Sequence, residues 1–289
     1  MSATIAIVGA NGVYARHLIP HLTAENFKVR ALVRRIEAAG VARACGADVR
    51  VADIFDPTSL QVGLAGADIC INLATSLPGP SGRGDYAVND RVRREGVPLL
   101  LDACGASGVQ RLVQQSIAMV GASGDALFDE TARAAPTGDD AASLAIRATL
   151  DMEDSVRASD LDWIILRGGL FYGPGTGFDN DWFARAAAGK LRLPEDGSDY
   201  VSLAHIADMA DATVAALKAW PTRQTLIIAD DTPAQWRDVF GYVAELAGAQ
   251  PPAEGGRRGF PSFRASNALA RQILNWAPRY RDYRMGLAR

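Results

Sequence analysis

Residues 4–15 read Thr4-Ile5-Ala6-Ile7-Val8-Gly9-Ala10-Asn11-Gly12-Val13-Tyr14-Ala15, and this stretch decides the fold. Its first five residues are apolar or β-branched and predict a strand that runs into a helix. Gly9 permits a sharp turn, Gly12 lets the backbone approach a pyrophosphate, and Ala15 lets helix and strand pack closely. The exposed N–H groups and the helix dipole then hold the phosphates. The stretch therefore indicates a dinucleotide site, with a plain structural turn as the alternative.

Composition limits the class of protein. The chain has 289 residues, 48% of them hydrophobic, which is enough for a substantial core. The net charge of −3 gives no electrostatic reason to expect nucleic acid or an anionic membrane as a partner. Cys45, Cys70 and Cys104 fit no metal or disulfide spacing, and no signal peptide or membrane-spanning run is evident. We expect a cytoplasmic protein without a metal site that acts on a small molecule.

Strands and helices alternate along residues 1–167. The predicted strands cover 4–8, 27–33, 47–51, 67–73, 110–115 and 162–166, with a long helix over 141–158 before the last of them. This rhythm predicts an α/β protein with a doubly wound parallel sheet, the Rossmann fold. Residues 168–289 have shorter elements and predict a small C-terminal α/β substrate lobe, discontinuous and partly returning to the Rossmann core. Within this lobe, the Pro/Gly/Arg-rich stretch 249–259 predicts a mobile or disordered segment.

Residues expected at the carboxyl ends of the strands suggest which cofactor binds. Arg34 follows the second strand, where arginine accommodates the 2′-phosphate of NADP and an acidic residue would bind the ribose of NAD. We therefore expect NADP in preference to NAD, unless Arg34 only solvates a helix start. Asp53 follows the third strand and either reaches the adenine amino group or caps a helix. The Gly/Pro-rich loop 74–85 follows the fourth strand on the ligand side, with Tyr86 at its far edge.

Motifs farther along the chain carry a family resemblance. They are Ile71-Asn72-Leu73-Ala74, Asp162-Trp163-Ile164-Ile165-Leu166-Arg167, Tyr172-Gly173-Pro174-Gly175 and His205-Ile206-Ala207-Asp208. With the glycine motif, they resemble the extended and atypical short-chain dehydrogenases/reductases, in particular the NAD-dependent epimerase/dehydratase family, over almost the whole length. The resemblance implies that NADP or NAD is bound by Gly9, Asn11, Gly12, Val13, Tyr14, Arg34, Asp53, Ile54, Leu73, Ala74, Thr75, Gln115, Arg167 and Gly168.

The resemblance also implies catalysis by a serine, a tyrosine and a lysine. The tyrosinate exchanges a proton with the carbinol oxygen, the lysine lowers the pKa of the tyrosine and holds the ribose, and the serine orients the oxygen. Ser116 falls at the serine position, but Ala145 and Thr149 fall at the other two. No tyrosine lies four residues before any lysine of this sequence. The usual proton relay is therefore absent, and Tyr86 or Tyr172 either supplies a displaced phenol or packs as an ordinary aromatic residue.

Other departures from the family pattern concern the substrate. The acidic residues of the dehydratases are missing after Ser116, and the arginine with which nucleotide-sugar members grip the diphosphate is missing near Val201. Phe178, Trp182 and Phe183 either line an apolar substrate pocket or belong to the core. In related folds the fourth and following helices often form a dimer interface, so a homodimer of this chain would use residues 88–104.

Three hypotheses follow from these observations. The first is an NAD(P)-dependent oxidoreductase or isomerase of a small, fairly apolar hydroxy or keto metabolite, with Ser116 and a displaced acid as catalysts. The second is a non-redox lyase or cyclase, and the third is a catalytically silent NADP sensor similar to the nitrogen-metabolite-repression regulators. The intact cofactor motif and the complete lobe favour the enzyme.

Overall fold

The computed structural model describes residues 3–80, 82 and 84–288. Its strands are β1 (Thr4–Val8), β2 (Lys28–Val33), β3 (Asp48–Val51), β4 (Ile69–Asn72), β5 (Arg111–Ile117), β6 (Leu127–Phe128), β7 (Asp162–Gly168), β8 (Leu170–Tyr172), β9 (Arg192–Pro194), β10 (Tyr200–Val201), β11 (Leu203–His205), β12 (Gln224–Ile228), β13 (Ala234–Gln235), β14 (Ala253–Gly256) and β15 (Arg264–Ala265).

Eleven α-helices lie between and after these strands in the described residues. They are α1 (Val13–Ala24), α2 (Gly40–Ala44), α3 (Pro57–Leu64), α4 (Tyr86–Arg91), α5 (Val97–Ala106), α6 (Ala141–Ala158), α7 (Phe178–Ala187), α8 (Ile206–Ala219), α9 (Trp236–Leu246), α10 (Ala268–Leu274) and α11 (Tyr283–Leu287). A π-helical turn, Val92–Gly96, joins α4 to α5. Within the described residues, none of the helices combines the length and apolarity needed to cross a bilayer.

The central sheet contains seven parallel strands of the described chain, in the order β12-β7-β5-β4-β1-β2-β3. The strand order reverses between β1 and β4, and their carboxyl ends flank the crevice where such sheets bind ligands. Helices α1 and α8 pack on one face, where Ile164 and Leu166 of β7 are buried. Helices α3, α5 and α6 cover the other face, which buries Leu112 and Ile165. The predicted doubly wound Rossmann fold is confirmed.

Element bounds differ from the sequence prediction mainly at strand ends. β5 and β7 run two residues farther than predicted, and Ser116 pairs in register with Arg167 inside the sheet. In the C-terminal region, residues 200–205 form two short strands, β10 and β11, and Val201 pairs with Ala234 of β13. β12, predicted among the elements of the lobe, is the edge strand of the central sheet beside β7. With this edge strand, α8 and α10 are the elements of the C-terminal region that pack with the central sheet.

The stretch 249–259, predicted to be mobile or disordered, instead contains β14, so this prediction was wrong. β14 pairs with β9, and the Glu195 N–H donates to the Gly256 carbonyl at 2.9 Å. The backbone hydrogen bonds of the segment are therefore made with residues about 60 positions earlier in the chain, where a local composition argument does not reach.

Aromatic residues form much of the core of the C-terminal region. Trp182 and Phe183 of α7 are 4% and 8% exposed. The Trp182 ring packs edge-on against Trp236 and Phe240 of α9, with ring centroids 6.1 and 5.6 Å apart. Of the two roles that the sequence left open for these aromatics, their placement fits the core role.

Candidate active site

The glycine turn after β1 lies where the strand order reverses. Gly9 has φ +78°, and a Cβ built on it would lie 2.8 Å from the backbone nitrogen of Ala74, so the close approach of the two strand ends needs glycine here. The Gly12 N–H donates to the Gly9 carbonyl at 3.0 Å, and α1 begins at Val13. No described side chain caps α1, so its first N–H groups are free to bind an anion.

The other residues expected to bind the cofactor differ in exposure. The exposed ones are Asn11, Arg34 and Thr75, the half-buried ones are Val13, Asp53, Ala74 and Gln115, and the buried ones are Tyr14, Ile54, Leu73, Arg167 and Gly168. Among the described residues none forms an ion pair with Arg34, whose guanidinium is free to meet a phosphate. Asp53 accepts from the Phe55 N–H at 3.0 Å, a local turn that leaves its second carboxylate oxygen available. The Tyr14 hydroxyl is turned away from the crevice and bonds Thr213 of α8.

A loop of the C-terminal region covers the glycine turn. His17 Nε2 lies 2.8 Å from the Pro174 carbonyl oxygen, and a Cβ on Gly175 would be 3.5 Å from the Val13 side chain. The loop therefore joins the two halves of the chain directly over the predicted pyrophosphate site. In the lobe motif, His205 caps α8, because its Nδ1 accepts from the Ala207 N–H at 3.3 Å.

Ser116 belongs to a buried charge network. Its Oγ donates to Glu153 Oε1 at 2.7 Å, and Arg167 forms two bonds to the same carboxylate, at 2.9 and 2.7 Å. Arg157 adds a fourth bond to Glu153, at 2.8 Å. Burial acts to raise the pKa of Glu153, but the hydrogen bonds and charge of Arg167, with Ser116 and Arg157, hold it below its usual value.

This network shows where the structure places two of the predicted site residues. The Arg167 side chain is fully buried, and its Nη1 donates to the carbonyls of Glu130 and Ala132. Four of the five N–H groups of Arg167 are therefore bonded within the protein, and the Ser116 hydroxyl donates to Glu153. Their roles in cofactor binding and catalysis stay predictions. Both residues stabilise the junction of β5, β7 and α6.

The two tyrosines differ sharply in environment. Tyr172 is fully buried, and its hydroxyl lies 3.4 Å from the Asp282 carbonyl oxygen. Burial, with the nearby carboxylates, raises the pKa of Tyr172 well above its usual value. That placement fits packing, one of the two roles that the sequence left open for Tyr172. Tyr86 is 43% exposed at the first turn of α4, at the ligand edge of the sheet.

A cation that the sequence analysis missed lies beside Ala145 and Thr149, the residues that the sequence analysis assigns to the tyrosine and lysine positions. Arg93 Nη1 donates to the Ala145 carbonyl at 3.2 Å, and Thr149 Oγ1 donates to the same oxygen at 2.6 Å. Arg93 lies in the π-helical turn Val92–Gly96, and such turns are frequent at functional sites. Burial lowers the pKa of Arg93 to about 10, with Asp90 opposing the change, so the guanidinium stays charged at neutral pH.

Two polar atoms of α4 make no hydrogen bond to the described residues. They are Asn89 Nδ2 and Asp90 Oδ1, both buried. The Asn89 Oδ1 accepts from the Ser76 N–H at 2.9 Å, which ties the helix to the loop after β4, while Asp90 Oδ1 is 3.7 Å from Arg93 Nη1. Since buried polar groups are normally hydrogen-bonded, Asn89 Nδ2 and Asp90 Oδ1 are available to bond a ligand. The sequence signal was the recurrence of Asn89 and Arg93 at helical spacing, one turn apart.

A cleft of about 560 Å³ opens beside the start of α6. Small and apolar side chains line much of it, and two arginines from the segment after β14 lie at its wall. These residues are Ala122, Ala134, Pro136, Ile146, Phe260, Arg257 and Arg258. Ile146, which lines the cleft, directly follows Ala145 on α6, the residue that the sequence analysis assigns to the tyrosine position.

Comparisons with known proteins also point to a nicotinamide dinucleotide site. Residues 9–219 match a family model described as NAD(P)H-binding. A 3-diazoavenalumate denitrifying reductase from a Streptomyces species is 34% identical over 314 residues, which cover 99% of each chain. A ceramide reductase from Caulobacter vibrioides is 27% identical over 249 residues, covering 86% of this chain and 71% of that protein.

The fold has solved counterparts among the epimerases. A UDP-glucuronic acid 4-epimerase from Bacillus cereus, in complex with UDP-glucuronic acid and NAD, has a TM-score of 0.82 at 19% identity and covers 98% of this chain and 96% of that chain. The similarity supports the epimerase/dehydratase-type extended short-chain dehydrogenase/reductase fold that the motifs resemble.

Proposed function

The chain belongs to the NAD(P)H-binding family, and from this premise we propose that it is a reductase that transfers a hydride from NADPH to a small, fairly apolar substrate. The observation that carries the proposal is the glycine turn at Gly9, packed on the end of β4 and leading into an uncapped helix. The 34% identity with a reductase, over 99% of each chain, supports reduction of the substrate as the direction of the reaction.

The missing tyrosine and lysine favour an acceptor that needs no proton. Carbonyl reduction, R₂C=O + NADPH + H⁺ → R₂CHOH + NADP⁺, requires a proton at oxygen and therefore an acid. Reduction of an arenediazonium, Ar–N₂⁺ + NADPH → Ar–H + N₂ + NADP⁺, requires none. The hydride forms the new C–H bond, the C–N bond breaks, and its electron pair leaves with N₂. The acceptor that we propose is of this diazo class, on which the Streptomyces relative acts by name.

In this proposal, side chains of the α4 region replace the missing relay. Arg93 supplies positive charge beside the nicotinamide ribose, the function that the family resemblance gives to the lysine. Asp90 offsets that charge, so a cationic acceptor is not repelled. NADPH, when bound, supplies the hydride, and the chain holds and orients it.

The test is reduction of 3-carboxybenzenediazonium with NADPH carrying deuterium at either the 4R or the 4S position. We expect benzoate with deuterium at the former diazonium carbon from one labelled cofactor and not from the other, with one N₂ released per NADPH oxidised. An enzyme presents one face of the nicotinamide, whereas a reaction in free solution uses both. Equal labelling from both cofactors, or a rate no greater than in buffer, would refute hydride transfer to the diazonium.

Arg34 is expected to select NADPH over NADH. A guanidinium bonded to the 2′-phosphate contributes about 1.5–3 kcal/mol, so Arg34→Ala should weaken NADPH binding about tenfold or more and leave NADH binding unchanged. The measurement is the Kd of each cofactor by calorimetric titration. Arg35→Ala, an exposed neighbour, is the matched control. An equal loss for NADPH and NADH would contradict the assignment.

Carbonyl reduction is the second candidate, favoured by the exposure of Tyr86 at the start of α4. The ceramide reductase among the relatives supports this class of activity. It predicts NADPH oxidation by a ketone panel, abolished by Tyr86→Phe, and no deuterium transfer to an arenediazonium.

A further inference from the structure

The cleft beside α6 contains one charged side chain without a partner among the described residues. Asp140 lines the cleft, but its carboxylate accepts from Ala142 N, Ser143 N and Ser143 Oγ, so it is committed to capping α6. Arg258 is bound to Asp199 through Nε and Nη2, at 2.6 and 2.9 Å. Arg257 is exposed at the cleft and pairs with none of the described carboxylates.

The backbone that carries Arg257 is firmly anchored. It follows Gly256, the last residue of β14, where an added Cβ would lie 2.8 Å from the Leu193 carbonyl oxygen. The Gly255 N–H donates to the Glu195 carbonyl at 2.7 Å, and the Glu195 N–H returns a bond to Gly256. The strand pairing therefore fixes the base of the arginine at the cleft wall, which lowers the entropy cost of using it for recognition.

Most of the other residues that line the cleft are small or apolar. Ala122, Ala134, Pro136 and Ile146 present hydrocarbon surface, and Phe260 lies three residues beyond Arg257. A ligand that fits this distribution has a flat or extended hydrocarbon body and one negative charge at its end. Arginine binds a carboxylate with two parallel hydrogen bonds, which gives such a ligand a fixed orientation.

We propose that the cleft binds the carboxylate end of an aromatic or conjugated unsaturated acid through Arg257, with the hydrocarbon body on the apolar lining residues and the reacting end toward Ala145. The proposal rests on the proposed reductase function for the direction of the ligand, and it names the substrate class: a monocarboxylate anion. Because Arg257 lies outside the α4 region and the glycine turn, its contribution is to substrate affinity and orientation.

The experiment is calorimetric titration of trans-cinnamate and of the neutral trans-cinnamamide into the protein saturated with NADP⁺. We expect the wild type to bind cinnamate more tightly than the amide. Arg257→Gln should weaken cinnamate binding about tenfold or more and leave the amide unchanged. Arg192→Gln is the matched control, because Arg192 is an exposed arginine on β9, the strand that pairs with β14, and does not line the cleft.

Equal affinity of the wild type for the acid and the amide would overturn the proposal, as would an Arg257→Gln variant that binds cinnamate like the wild type. Failure of this proposal and failure of the proposed reductase function can be told apart, because the titration measures binding to the cleft and needs no turnover. If the protein does not bind NADP⁺, the reductase function is refuted, and the cinnamate titration without cofactor still tests the cleft.

Discussion

Replacing Glu153 by glutamine is expected to lower the free energy of unfolding by about 3–5 kcal/mol, the usual result of removing one partner from a buried ion pair. The amide still bonds Ser116, but it leaves the fully buried guanidinium of Arg167 without a counter-charge and weakens the hold on Arg157. The measurement is equilibrium unfolding in urea at neutral pH, compared through the change in midpoint at constant slope.

Asp154→Asn is the matched control for this variant. Asp154 is the next residue on α6 and forms two 2.8 Å bonds with Arg133, but both side chains are about half exposed. An exposed ion pair contributes about 0–1 kcal/mol, so Asp154→Asn should lower the free energy of unfolding by no more than that. A Glu153→Gln variant as stable as Asp154→Asn would show that the buried network does not support the fold.

The same network predicts a dependence on pH. Since the folded-state pKa of Glu153 lies below its unfolded value of about 4.3, its stabilisation is complete above that value and is lost as the pH falls through the folded pKa. The stability difference between wild type and Glu153→Gln should therefore be constant near neutral pH and shrink in acid. Unfolding curves measured at a series of pH values test this sign.

The sequence was most informative where local pattern and tertiary role agree. The helix Ala141–Ala158 has the predicted bounds because Asp140 caps it and its apolar residues recur at helical spacing. The glycine turn was likewise predictable, because Gly9 is required by its own φ as well as by the approach of Ala74.

The network around Glu153 was not predictable in the same way. Ser116 and Arg167 come together only through the register of β5 with β7, and a one-residue shift of either strand would turn its side chain to the other face. The family resemblance implied contact with a ligand, and the fold joins both side chains to a carboxylate on α6. Pairing over long sequence separation also ordered β14, which composition alone assigned to a mobile segment.

Replacing Arg93 by methionine is expected to weaken NADPH binding about tenfold or more and to lower the free energy of unfolding by about 3–5 kcal/mol. The substitution removes the cation beside Thr149 and the bond from the π-helical turn to the Ala145 carbonyl. It also leaves Asp90, whose side chain is 14% exposed, without its nearest positive charge. NADPH affinity by calorimetry and urea unfolding measure the two effects separately.

The double variant Asp90→Asn/Arg93→Met separates the cofactor role from a structural one. Neutralising Asp90 removes the uncompensated carboxylate, so part of the lost stability should return. NADPH binding should remain about tenfold or more weaker than in Asp90→Asn alone, because the positive charge beside Thr149 is still missing. If NADPH affinity recovers together with stability, Arg93 only links α4 to α6, and the cofactor must be held without a substitute for the lysine.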